Sequence, residues 1–308
     1  MGAALALGAR GRGRTAPNPN IGCVIVKDGR VVGRGWTQPG GRPHAEAMAL
    51  AEAGEKSRGA TLYVTLEPCA HQSPRGPACA DLIAAAGVAR VVAAAEDPDP
   101  RTAGGGFDRL RAAGIEVATG LREAEALRSY AGFVSRQRQG RPHVTLKLAT
   151  SLDGRIALPD GSSRWITGEP ARTHAHLERS RHEEILVGRG TWDADAPRLD
   201  VRLEGLEDRS PHIHVLSSSS EVNSVESIAA LPGDYLLVEG GAETAAAFLG
   251  ADLVDRLLLY RAPILIGAGK SAIGDLGLGD LAAAHGRWQM LDARQLGSDR
   301  LEVYERNR

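Results

Sequence analysis

Apolar and polar positions along this chain follow two periods, and the switches between them outline an α/β protein. Strand-like runs at Gly22–Val26 and Val31–Gly33 flank Asp28-Gly29, a dipeptide suited to the left-handed backbone of a tight hairpin. The Ala-, Met- and Leu-rich stretch from Ala45 to Ala53 predicts a helix and Thr61–Thr65 a strand. Ala80–Ala86 then predicts a helix, Val88–Ala93 a strand and Phe107–Ala113 a helix. Such a succession predicts a sheet covered by helices. The polar, basic run from Arg136 to Pro142, closed by Gly140 and Pro142, predicts a linker, giving domains 1–140 and 141–308. Alternation resumes at Val144, Leu146 and Leu148. Further strands are predicted at Glu184–Val187, His212–Leu216, Tyr235–Val238, Arg256–Tyr260 and Leu301–Tyr304, with a helix from Ala242 to Leu249.

Length agrees with that division: 308 residues, at about 150 per domain, suit two domains. With 37 basic and 38 acidic residues the net charge is −1, and Trp 4, Tyr 5 and Phe 3 leave few stacking platforms. Both facts argue against a nucleic-acid partner. Three cysteines cannot build a disulfide framework, so a reducing, cytoplasmic setting is expected. The most apolar stretch, Leu82 to Ala95, is interrupted by Arg90 and too short to span a membrane. In Met1–Arg14 the arginines follow the apolar part, the reverse of a signal peptide, and Ala6 stands where myristoylation needs Ser or Thr. A short amphipathic helix is predicted there instead.

The chemistry-bearing residues of the first half are Pro43-His44-Ala45-Glu46, then Thr65-Leu66-Glu67-Pro68-Cys69, then Cys79. One imidazole and two thiolates suit a tetrahedral zinc with its fourth corner open to water, and His71 is the one nearby side chain able to close it. Two residues apart in mid-helix, His44 and Glu46 would point away from each other; at a helix entry they can share one site. Cys79 likewise opens a predicted helix, where backbone N–H groups favour a thiolate. A zinc with an open corner lowers the pKa of its water toward about 7, and Glu46, not needed as a ligand, is free to carry protons. His-x-Glu followed by a distant Pro-Cys is the pattern of zinc nucleobase deaminases. Cys23, in a predicted strand, is expected to be core.

These residues, with Asn18-Pro19-Asn20-Ile21-Gly22 upstream and Cys69-Ala70-His71 in place of Cys-x-x-Cys, resemble the cytidine-deaminase-like superfamily. Within it they resemble the deaminase half of the bifunctional riboflavin-biosynthesis deaminase/reductases. The resemblance implies a three-layer sandwich, zinc ligands His44, Cys69 and Cys79, Glu46 as proton donor, and substrate contacts from Asn18, His71, Arg75, Asp97 and Asp99. Two departures stand out. The family's spacing is one residue shorter than the nine between Cys69 and Cys79, which loosens the alignment of Arg75 to a phosphate-binding residue. Asp99 stands where Asn is common.

The second half carries weaker local motifs. Gly240-Gly241 ends a predicted strand and opens a helix, as phosphate-binding turns do, but lacks the third glycine of the dinucleotide fingerprint. Gly267-Ala268-Gly269-Lys270-Ser271 fails as a P-loop because Ile264 occupies the first glycine position. Gly104-Gly105-Gly106 reads as a flexible turn.

Longer stretches are more specific. Lys147–Arg155, Ser163–Thr167, Ile185–Thr191, Asp193–Leu199, Val238–Gly241 and Ala262-Pro263 resemble the reductase half of the same family, of dihydrofolate-reductase-like fold. The resemblance implies an NADPH site lined by Ala149, Trp165, Thr191, Asp195 and the turn Gly241, Ala242, Glu243, Thr244, Ala245, Ala246, Ala247. It implies substrate contacts from Ser163, Arg179, Leu199, Arg202 and Glu239, the arginines suiting a 5′-phosphate, and Lys147 near the hydride-transfer centre. The resemblance thins between Leu203 and Gly233, where only Pro211–Ser220 can supply a strand usual in the family.

The activity this resemblance implies is hydrolytic deamination of 2,5-diamino-6-(5-phosphoribosylamino)pyrimidin-4(3H)-one, then NADPH-dependent reduction of the ribosyl group to ribityl. The alternative is a zinc deaminase whose second domain only binds ligand or is a degenerate reductase. Expected partners are this small pyrimidine ribosyl phosphate and further copies of the chain in a homo-oligomer, with neither nucleic acid nor membrane.

Overall fold

Asp28 and Gly29 take positive φ (50° and 72°) and turn the chain back on itself. That turn pairs β1 (Gly22–Lys27) antiparallel with β2 (Arg30–Trp36). Register sets Cys23 opposite Gly35 and Ile25 opposite Gly33, so these four share one face of the ribbon. A Cβ at Gly33 would lie 2.2 Å from the Ala49 carbonyl oxygen, and one at Gly35 2.0 Å from that of Ala45. The helix Ala45–Ala53 therefore rests directly on this face. On the opposite face a Cβ at Gly22 would meet the Ala4 carbonyl oxygen at 1.8 Å, which places α1 (Gly2–Gly8) there.

The computed structural model describes residues 1–71, 74–100 and 102–308. It divides into two compact units, Met1–Gly140 and Arg141–Arg308. With the helix Ala45–Ala53 as α2, the first unit continues through β3 (Thr61–Val64), α3 (Cys79–Ala85), β4 (Arg90–Ala93), α4 (Gly105–Ala112), β5 (Glu116–Ala118), α5 (Glu123–Ser129) and α6 (Ala131–Gln139). Its sheet runs β2-β1-β3-β4-β5, antiparallel at the hairpin edge and parallel from β3 to β5. Helices on both faces make it a helix–sheet–helix sandwich around a core including Ile25, Leu62, Ile83 and Leu110.

The second unit comprises β6 (His143–Thr150), β7 (Arg155–Ala157), α7 (Glu169–Arg179), β8 (Glu184–Gly188), α8 (Arg189–Asp195), β9 (His212–Leu216), β10 (Tyr235–Val238) and α9 (Ala242–Gly250). It ends with β11 (Arg256–Arg261), β12 (Lys270–Ser271), β13 (Trp288–Leu296) and β14 (Asp299–Arg306). Seven strands lie in the order β13-β14-β11-β6-β10-β8-β9, the last five named mutually parallel. The central β8 and β10 are buried throughout, as strands covered on both faces must be. β9 falls within Pro211–Ser220, the one stretch of the thinned segment able to form a strand.

Two expectations need correction, and one strand escapes the pattern. The predicted linker 136–142 is mostly α6, ended by Gly140 in the left-handed region (φ 69°), and Arg141 is already buried against Asp255. Its basic residues lie along a helix whose buried face is formed by Gly132, Phe133 and Ser135. Gly104-Gly105-Gly106 is no loose turn but the N-cap and first residues of α4. Strand β13, exposed over most of its length, lacks the apolar alternation that would announce it. Among the described residues no helix is long and apolar enough to cross a membrane.

Candidate active sites

The parallel strands β3 and β4 end side by side, and the loops leaving their carboxyl ends carry the first site, where open α/β sheets place ligands. His44 is the N-cap of α2 with extended backbone (φ −71°, ψ 161°), so His44 and Glu46 straddle the helix entry. Cys79 is the first residue of α3, and its N–H donates to Cys69 Sγ at 3.3 Å. His44 Nδ1 lies 3.7 Å from Cys69 Sγ and 3.3 Å from Cys79 Sγ, and all three donor atoms fall within 4.8 Å of one another. Ligands at ordinary zinc distances around a tetrahedron stand about 3.6 Å apart for nitrogen and sulfur, so this donor set fits zinc. His71 does not join it: its Nδ1 faces Thr102 Oγ1 at 3.2 Å.

Charge is distributed to match. Cys69 is pushed down to about 4, foremost by a hydrogen bond from the Cys79 thiol. Contacts from His44 and the Cys79 N–H help, against the opposing effect of burial. Cys79 is pushed up by its bond with Cys69, by burial and by the Glu46 charge, so one negative charge serves both sulfurs. Burial works to lower His44, but the Cys69 hydrogen bond and the Glu46 charge outweigh it. Burial raises Glu46, which is 4% exposed, above the usual carboxylate range.

Glu46, Asn18, His71, Asp97 and Asp99 line one pocket, with Ile21, Leu66 and Phe133 as its apolar surfaces. Asn18 also reaches the metal-ligand set: its side-chain amide nitrogen is 2.8 Å from His44 Nε2. Asp97 is raised to about 7, first by burial and then by the charges of Asp99, Glu67 and Cys69. Arg75 is placed apart from this lining, exposed and donating to the Gly40 carbonyl at 2.6 Å. Phe133, on the polar-looking α6, and Glu67, inside the Thr65–Cys69 run, also line the pocket, and neither stands out in the sequence.

In the second unit, β6 and β10 pair with Val238 beside Leu146, which brings Glu239 next to Lys147. Lys147 Nζ is 3.6 Å from Glu239 Oε2, and Arg179, at the end of α7, grips the same carboxylate through Nε and Nη2 (2.7 and 2.9 Å). Burial works to raise Glu239, but Lys147 and Arg179 hold it down at about 2. Arg179 Nη1 and His176 Nδ1 meet the Asp200 carbonyl at 3.1 and 3.0 Å, joining the 199–202 segment to the cluster. Arg179 is thus engaged by protein, whereas Arg202, paired with Asp200 at 2.8 Å, is exposed. Leu199 is 4% exposed with φ 52°, its side chain packed among Ile185, Val187 and Leu237, so only its backbone can face a ligand.

Most of the residues assigned to a cofactor lie on α8 and at the start of α9. Thr191 Oγ1 is 3.5 Å from where a Gly241 Cβ would sit. Gly241 is the N-cap of α9; Thr244 and Ala245 turn into the core, Ala242 and Ala246 are half-buried, and Glu243 and Ala247 are exposed. A Cβ at Gly240 would strike Thr244 at 2.5 Å, which fixes the close strand–helix turn. Trp165, 68% exposed, has the guanidinium groups of Arg172 and Arg164 at 4.8 and 5.9 Å from its ring centre. Arg164 also reaches the Asp195 carbonyl at 3.1 Å. Ala149 is half-buried on β6, two residues from Lys147, and Ser163 is half-buried.

Two family models match this chain: the cytidine and deoxycytidylate deaminase zinc-binding region over residues 1–95, and the RibD C-terminal domain over 142–230 and 221–301. Riboflavin biosynthesis protein RibD of Escherichia coli is 40% identical, the alignment covering 97% of this chain and 96% of that protein. The chain belongs to the RibD family. RibD of Aquifex aeolicus is 38% identical, with 90% of each chain covered. Among solved structures, the deaminase/reductase of Thermotoga maritima superposes with a TM-score of 0.89 at 33% identity, covering 100% of this chain and 97% of that one. RibD of Acinetobacter baumannii gives 0.87 at 34% identity, covering 100% and 98%. The alignment to the Escherichia coli RibD spans 355 positions against 308 residues here, so this member is shorter, and the RibD C-terminal match breaks inside the thinned 203–233 segment.

Proposed function

We propose that this chain, by family a bifunctional deaminase and reductase of riboflavin biosynthesis, performs both steps with the residues gathered in these two sites. The substrate of the first is 2,5-diamino-6-(5-phosphoribosylamino)pyrimidin-4(3H)-one. The observation that carries the reading is the His44, Cys69 and Cys79 donor set at zinc spacing with Glu46 in the same pocket.

His44, Cys69 and Cys79 would hold the metal, and a zinc ion there supplies a Lewis acid that activates water at neutral pH. Glu46, whose proton affinity burial raises, takes a proton from the attacking water as its carboxylate and delivers it to the departing amino nitrogen. Ile21, Leu66 and Phe133 give the pyrimidine ring an apolar slot, while Asn18, His71, Asp97 and Asp99 hydrogen-bond its edge. Arg75, outside the lining, is assigned to the substrate phosphate. Three cysteines, two of them needed as thiolates, suit the reducing cytoplasm.

In the second unit the Gly240-Gly241 turn and the α9 N-terminus offer backbone N–H groups to a phosphate, and Thr191, Asp195, Trp165 and Ala149 complete the NADPH site. NADPH supplies the hydride. Lys147, paired with Glu239, supplies the accompanying proton and orients the sugar, with Arg179 fixing Glu239 and with Ser163, the Leu199 backbone and Arg202 at the sugar phosphate. A second reading, a domain that binds ligand without turning it over, is favoured by the shortened chain and the broken family match.

One experiment separates these. Purified zinc-loaded chain is given the diaminopyrimidine with and without NADPH, beside Glu46→Gln. Ammonia release without NADPH, its loss by at least about a thousandfold in the variant with zinc retained, and NADPH oxidation by the deaminated product are expected. Ammonia release without NADPH oxidation would favour the binding-only second domain. Full turnover by zinc-loaded Glu46→Gln would remove Glu46 from the mechanism.

A further inference from the structure

Glu67 and the triple glycine Gly104-Gly105-Gly106 take no part in the chemistry above, and they meet. Glu67 is 3% exposed. Its Oε1 accepts the N–H groups of Gly106 and Phe107 at 2.8 and 3.2 Å, and its Oε2 those of Gly104 and Asp97 at 3.0 and 3.2 Å. Gly106 and Phe107 lie in the first turn of α4, where N–H groups lack helical partners. Glycine-rich turns cradle phosphate oxygens in this way; here the protein's own carboxylate fills the cradle. The turn needs its glycines. Gly104 has φ 76°, and a Cβ at Gly106 would lie 2.0 Å from the Pro68 carbonyl oxygen.

The span pinned by these bonds puts Asp97 and Asp99 into the lining of the deaminase pocket. It begins with Asp97 and includes Thr102, whose hydroxyl is 3.2 Å from His71 Nδ1. Glu67 itself stands two residues before the zinc-ligand candidate Cys69. We propose that Glu67 is a positioning residue for deamination, tying the substrate wall to the metal-ligand segment so that Asp97 and, through Thr102, His71 meet the pyrimidine at fixed places. The proposal rests on the deaminase reading of this pocket. It differs from a general folding role because one carboxylate holds the backbone N–H of Asp97, a pocket residue, together with the turn that opens α4.

The test compares full-length wild-type chain with Glu67→Gln and Glu67→Ala. It measures zinc content, deaminase KM and kcat, and hydrogen exchange of the Gly104 and Gly106 amides. Glu67→Gln keeps the shape but turns an NH₂ group toward two backbone donors. It is expected to retain zinc, speed both amide exchanges and raise KM about tenfold, with kcat changed by less than about threefold. Glu67→Ala should raise KM further; if it does not fold, the isosteric variant decides alone. KM within about twofold of wild type, or loss of zinc in Glu67→Gln, would overturn the proposal, the latter because the carboxylate would then be serving the metal segment. A wild-type chain that releases no ammonia fails the deaminase reading itself, a result visible before any variant is made.

Discussion

His44 turns Nδ1 toward the two sulfurs, so in the metal-bound site its Nε2 carries a proton and needs an acceptor. Asn18, 2.8 Å away, presents its amide oxygen there after a half-turn of the side chain. Beyond its place in the substrate pocket, Asn18 should therefore orient the imidazole. Asn18→Ala is expected to weaken zinc binding about ten- to a hundredfold in competition with a chelator. Unchanged zinc affinity with only a raised KM would confine Asn18 to the substrate. Residue types told most about such chemistry: an imidazole, two thiols and a carboxylate are rare enough together to be read without a fold. Glu67 and Phe133 were not legible, because a carboxylate that binds backbone and an aromatic on a basic helix look like ordinary surface and core residues until the chain is folded.

At the scale of elements, the site depends on how closely α2 approaches β2. Gly35→Ala would set a Cβ 2.0 Å from the Ala45 carbonyl oxygen and push the helix entry outward, carrying His44 and Glu46 with it. The expected cost is about 1–3 kcal/mol of stability, with weaker zinc binding, read by thermal unfolding and metal titration. Exposed Gly29→Ala, where nothing lies within 4 Å, should by contrast leave zinc binding intact. Elements with clear periodicity or strong turns were legible: α2, the Asp28-Gly29 hairpin, β9 and β10 lie where apolar runs and turn residues place them. Where burial is lopsided the pattern misleads. Strand β13 is mostly exposed, and α6 hides its buried Phe133 among arginines and glutamines, so the one passes unseen and the other passes for a linker.

At the scale of the whole chain, two units with separate cores each carry one site, and the second begins at an anchored residue. Arg141 grips Asp255 through two hydrogen bonds of 2.7 and 2.9 Å, and the Val144 N–H and Arg308 also reach that carboxylate. Burial works to raise Asp255, yet Arg141 and the neighbouring His143 hold it down at about 2. A carboxyl depressed on folding adds stability at pH values above its ordinary pKa, and that contribution is lost as pH falls through the folded value. The second unit should therefore lose about 2 kcal/mol between about pH 4 and pH 2. The stability gap between wild type and Asp255→Asn should narrow over that window; a gap constant with pH would remove the linkage.

Deamination here depends on a three-ligand zinc with one open corner, and X-ray absorption at the zinc edge of the purified chain reads that shell directly. It should show about one zinc per chain with two sulfurs, one imidazole nitrogen and one light oxygen-type ligand. A third sulfur from Cys23, a second imidazole from His71, or full deaminase activity in chain stripped of zinc would contradict it.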